Sequence, residues 1–78
     1  MAYNGWANRD TWLVTLWMDN EERNYRYVLK NIKKLMTLSK VELFATLRAN
    51  LHFGDKVNWN NVRVGEIRSH LREYYLNH

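Results

Sequence analysis

Apolar residues at Trp12, Leu13, Leu16 and Trp17 have the one-face spacing of an amphipathic helix, and Val14 and Met18 widen the stripe. Asn8 is a good N-cap for this helix and Asp10 sits in its first turn, where the helix dipole favours a negative charge. The helix is expected to end near Asp19. Ahead of it, Asn4-Gly5 reads as a turn that returns Trp6 toward the core. A second helix is expected with Asn20 as its cap, Glu21 and Glu22 in its first turn, and Lys33 and Lys34 near its end. Tyr25, Val28, Leu29, Ile32, Leu35 and Met36 recur at three- and four-residue steps along its whole length.

Ser39 and Glu42 make a capping box, with Leu38 and Leu43 at the staple positions around it, so a third helix begins there. Its buried side is Leu43, Phe44, Leu47 and Leu51, and Gly54 stands where a left-handed C-cap is expected. Between residues 57 and 64, Val57 and Trp59 alternate, Asn60-Asn61 intervenes, and Val62 and Val64 alternate again. This pattern fits a short hairpin or an irregular connection in which Trp59 fills a gap between helices. The connection is favoured, because an isolated two-stranded hairpin is marginal in water. Val64, Ile67, Leu71, Tyr74 and Tyr75 then give a terminal helix. The expectation is an all-α fold, a small helical bundle of three main helices plus a C-terminal helix, with residues 1–78 as one domain.

Composition narrows the functions available. A chain of 78 residues buries only about 60% of the surface its unfolded form exposes, so each large apolar side chain matters. The absence of cysteine removes disulfides and thiolate metal sites. The first ten residues lack the basic start and apolar run of a signal peptide, and Trp12 to Met18 is far shorter than the roughly 20 residues of a membrane helix. A soluble protein of the cytoplasm, with no membrane partner, is expected.

Candidate chemistry is sparse. His52, His70 and His78 are far apart and form no ligand pair, so no metal is expected. Asp10, Asp19, Glu21, Glu22 and Glu42 are explained by helix starts and the capping box, and there is no Gly-rich phosphate loop. No enzyme activity and no cofactor are expected. The tryptophans could serve as stacking platforms for bases. Core roles are favoured for Trp6, Trp12, Leu13, Leu16, Trp17 and Trp59, since Trp12 and Trp17 share a stripe with Leu13 and Leu16.

Charge adds one surface. The net charge is +4, and residues 21–38 are the basic segment, with five bases against Glu21 and Glu22. On a continuous helix Arg23, Arg26, Lys30, Lys33 and Lys34 fall within an arc of roughly 100° opposite the apolar stripe, with Tyr27 at its edge. Such a face meets phosphates or carboxylates, or is simply a solvated face partly paired through Glu22 and Arg26. Arg68 and Arg72 would extend it if the last helix lies alongside.

Residues 3 to 20, YNGWANRDTWLVTLWMDN, resemble a family of short proteins of phages, plasmids and other mobile elements, marked by G-W-x-N-x-x-T-W-L-V-x-L-W and an acidic or Asn-rich turn. Gly5, Trp6, Asn8, Thr11, Trp12, Leu13, Val14, Leu16, Trp17 and Asn20 match. A second family feature, V-N-W-x-E-I, is matched in part by Val57-Asn58-Trp59, followed here by Asn60-Asn61, with Glu66-Ile67 later. The resemblance carries no catalytic residues and implies a small accessory protein of a mobile element. In that setting the expected function is inhibition of a host defence complex, foremost a CRISPR effector, through the basic helix face. The alternative is a small DNA- or RNA-binding accessory protein. The sequence is compatible with a homodimer.

Overall fold

The computed structural model describes residues 3–77. It is all-α. The helices are α1 (Arg9–Asn20), α2 (Glu22–Lys30), α3 (Ile32–Leu35), α4 (Lys40–Asn50) and α5 (Val64–Asn77), with one 3-10 turn at Trp59–Asn61 before α5. No strand forms among the described residues; an isolated antiparallel bridge joins Tyr3 and Trp6. Residues 57–64 are therefore a connection and not a hairpin. No helix among the described residues is long and apolar enough to cross a membrane.

Local signals explain most element boundaries. Asn8 caps α1, its side chain accepting from the Thr11 N–H at 2.9 Å. The Asn4-Gly5 turn has positive φ at both residues, 50° and 89°, the geometry that asparagine and glycine tolerate best. The capping box of α4 is complete: Glu42 N–H donates to Ser39 Oγ at 3.2 Å, and Ser39 N–H donates to Glu42 Oε1 at 3.1 Å. The Ser39 backbone and hydroxyl bonds hold the Glu42 carboxyl below its ordinary value of 4.5.

Three expectations need correction. The basic helix is not continuous, since Asn31 (φ −111°, ψ 15°) separates α2 from α3. The Asn31 side chain donates to the Tyr27 carbonyl at 2.9 Å, in competition with the helix ladder. The cap of α2 is Glu21 rather than Asn20, because α1 runs through Asn20 and leaves one extended residue as the joint. Gly54 is not a left-handed cap, since α4 ends at an extended Leu51. Gly54 is required by packing instead: a Cβ there would lie 2.2 Å from the Trp17 ring. That ring cannot easily yield, since Trp17 Nε1–H donates to Asp55 at 3.0 Å and its edge meets His52.

The core draws on every helix, with Val14 and Met18 from α1, Val28 from α2, Leu35 from α3, Leu43 and Leu47 from α4, and Ile67 and Leu71 from α5. The innermost stripe of α1 differs from the expected one. Thr11, Leu13, Val14, Thr15 and Met18 are fully buried, whereas Trp12, Leu16 and Trp17 are half-buried. Small side chains let α1 approach its neighbours, and the threonine hydroxyls have partners: Thr15 donates to the Trp12 carbonyl, and Thr11 accepts from the Arg63 N–H at 3.0 Å. The indoles, too large for so small an interior, cover the edges of the core.

A buried polar residue ties the elements together. Asn24 on α2 is 1% exposed. Its amide N–H groups donate to the carbonyls of Trp17 at 3.1 Å and His52 at 2.6 Å, and its oxygen accepts from the His52 N–H at 2.8 Å. The end of α1, the middle of α2 and the exit from α4 thus share one side chain.

Asn24→Ala should cost about 2 to 3 kcal/mol in urea unfolding, since it deletes three hydrogen bonds at a buried site. Asn24→Asp, which keeps the shape but turns a carboxylate toward two carbonyls, should cost at least as much. A loss below about 0.5 kcal/mol in either variant would refute the clamp. Gly54→Ala should cost about 1 to 3 kcal/mol by overpacking. Combined with Trp17→Ala it should cost less than the sum of the two, read as a coupling in a double-mutant cycle.

Candidate functional site

The five bases of the expected face lie on α2 and α3, forming a basic ridge on two short helices and not on one continuous helix. Arg23, Arg26, Lys30, Lys33 and Lys34 are all exposed. Arg26 pairs with Glu22 one turn earlier, both side chains about three-quarters exposed. An ion pair so open to water adds little stability. Tyr27 is not part of the ridge, because it is half-buried and packs on the core. The last helix does lie alongside: α3 packs on α5, and Arg68 and Arg72 flank Met36. Arg68 is held in place by a 3.0 Å hydrogen bond to the Leu38 carbonyl.

The histidines are used for packing. His52 sets its ring against Trp17, and His70 lies edge-on to Trp6 and Tyr74. Nε2–H of His70 donates to the Asp19 carboxylate at 2.8 Å, and the Tyr74 hydroxyl donates to the same carboxylate. Burial, the hydrogen bond to Asp19 and its negative charge push the Tyr74 phenol far above its usual range. The cluster joins the end of α1 to α5. No group of three potential metal ligands occurs among the described residues, and His78 lies outside them.

A second cationic surface escapes sequence reasoning. Residues 58–66 are stitched to the start of α1 by the N–H of Asn58 and the amide of Asn61 on Asp10, the Asn8 amide on the Asn61 carbonyl, and the Ala7 N–H on Glu66. These bonds shape a run of three adjoining hollows that meet at Asn60. Arg9, Lys40, Arg48, Lys56 and Arg63 line them. The five are spread across four segments of the chain, so no local run of charge marks them. The nearest signal was the Asn58-Trp59-Asn60-Asn61 run itself, which looked like turn chemistry.

Of the six core tryptophan and leucine positions expected from sequence, Leu13 is fully buried and Trp6, Trp12, Leu16, Trp17 and Trp59 are half-buried. Trp59 packs between Phe44 and Phe53, with ring centroids 5.3 and 5.4 Å away.

Fold and surface together define a small all-α protein whose distinguishing chemistry is exposed positive charge on a rigid frame. The chain belongs to the Family of unknown function (DUF7249), which matches residues 1–76. No curated protein and no solved structure matches it.

Tyr74→Phe should lower stability by about 1.5 to 3 kcal/mol, the range for a hydrogen bond to a charged group, with the helical circular dichroism of the native state unchanged. A melting temperature equal to wild type would remove the Asp19 cluster from the account of how α5 is held.

Proposed function

We propose that this protein is a small non-enzymatic module of a mobile genetic element that binds and inhibits a host defence complex in the host cytoplasm, with a CRISPR effector as the foremost target. The ridge of α2 and α3 docks on an acidic surface of that complex. One observation carries the reading: five bases stand exposed on consecutive short helices, and only Arg26 has an ion-pair partner among the described residues. Arg68 and Arg72 add positive charge beside Met36, where α5 packs against α3. The mobile-element setting comes from the resemblance of residues 3 to 20.

Physical chemistry favours a binding role for such a surface. Exposed bases contribute little to folding, so they are available to steer and orient an acidic partner, raising the association rate and selecting against basic surfaces. The frame beneath them is fixed by Asn24, Val28 and Leu35, all buried. The backbone then needs no ordering on docking, and the entropic cost is confined to the long basic side chains.

In a pull-down from a lysate containing an active CRISPR effector, tagged wild type should retain an effector subunit after nuclease treatment. A variant carrying Arg26→Glu, Lys30→Glu and Lys33→Glu should lose it, with an unchanged melting temperature. Retention by the variant would overturn the ridge as the docking face. Capture that disappears with nuclease would replace this reading with nucleic-acid binding.

A further inference from the structure

We infer that the groove around Asn60 and Trp59 is a binding site for single-stranded nucleic acid, separate from the ridge of α2 and α3. No residue of α2 or α3 lines the groove, so this inference does not rest on the defence-complex reading.

Charge is the first argument. Arg9, Lys40, Arg48, Lys56 and Arg63 line the groove, and none of them forms an ion pair among the described residues. The two acids along it are turned to internal use: Asp10 accepts from Asn58 and Asn61, and Glu66 accepts from Ala7. Both carboxylates keep their negative charge, so five positive and two negative groups line the groove, and a polyanion entering it would meet a net positive surface and gain from counterion release.

Shape and chemistry choose the polyanion. The three hollows adjoin end to end, sharing Lys40, Arg48, Trp59 and Asn60 between them, so they form a track and not an isolated anion pocket. At its middle the Arg48 guanidinium lies 5.9 Å from the Trp59 ring centroid. The guanidinium lies over that ring, and its outward plane is a surface on which an unpaired base stacks, whereas a paired duplex hides those faces. Asn60 is exposed, and its side-chain amide has no protein partner among the described residues, which leaves a donor and an acceptor for a base edge. An acidic peptide could use the bases and the free amide but, lacking stacked planar nucleobases, would have no use for the arginine-aromatic pair.

The track is preformed. Its loop is held to α1 by backbone and amide bonds from Asn58, Asn61 and Arg63, so the backbone that carries the neighbouring side chains needs no ordering.

The test is fluorescence anisotropy with a labelled mixed-sequence oligonucleotide of roughly 12 nucleotides, as RNA and as DNA, at about 50 mM salt and upward. Wild type should bind the single strand with a log-log salt slope between about −2 and −3.5. Arg48→Glu with Lys56→Glu should weaken binding by about tenfold or more, while Lys30→Glu with Lys33→Glu, the same change in net charge on the ridge, should weaken it by less than about threefold. Asn60→Ala, which alters neither charge nor core, should weaken it by about threefold or more at an unchanged melting temperature. Absence of binding, equal losses in the two double variants, or equal competition by duplex or by polyglutamate would each overturn the assignment.

Discussion

The fold depends on a single buried amide. Asn24 uses its oxygen and both of its N–H groups at a point where α1, α2 and the exit from α4 come together. Against His52 it behaves like a peptide unit, donating to the carbonyl and accepting from the N–H of the same residue. A hydrophobic side chain there would fill space but leave those backbone groups to find water in a partly closed site. A polar residue with only one correct set of partners also fixes the angle between helices, which apolar contact alone leaves soft. The remaining core packs around a joint that is specified rather than merely compact.

Much of this architecture was legible in the chain. The Asn8 cap, the Asn4-Gly5 turn and the Ser39-Glu42 capping box are local signals whose chemistry is complete within a few residues. What failed to read correctly depends on contacts distant in sequence. Leu13, Val14 and Met18 of the expected α1 stripe are buried, but Trp12, Leu16 and Trp17 are not fully so, and the smaller Thr11 and Thr15 take inner positions that the apolar pattern does not mark. Gly54 resembled a helix cap, but its reason for being glycine is Trp17, far back in the chain. Asn24 did leave a trace, since it stands one turn before Val28 on the buried side of α2. A polar residue in an apolar stripe is the signature of a buried hydrogen-bond site.

The two charged surfaces differ in legibility for a similar reason. The ridge is a local pattern, five bases within one segment, and was visible at once. The groove is assembled from residues between Arg9 and Arg63 that share no periodicity. The hydrogen bonds from residues 58–66 to the start of α1, with the packing of Trp59 on Phe44 and Arg48 of α4, bring them to one place. The acids involved illustrate how position changes meaning: Asp10 reads as a helix-dipole residue in sequence, and in the folded chain it is also the acceptor that holds the Asn-rich loop.

These contacts also assign work to the opening motif. Gly5 permits the turn, Asn8 caps α1 and reaches the Asn61 carbonyl, Thr11 holds the Arg63 N–H, and Trp17 bonds to Asp55 over Gly54. Asn8, Thr11 and Trp17 are committed to joining the first segment to the last third of the chain, and the tryptophans cover the seams. Residues so engaged cannot be recruited by a partner without loosening the fold. Recognition therefore falls to side chains that folding leaves unspent, and in this protein those are the bases of the ridge and of the groove, each carried by backbone that the motif and Asn24 hold still.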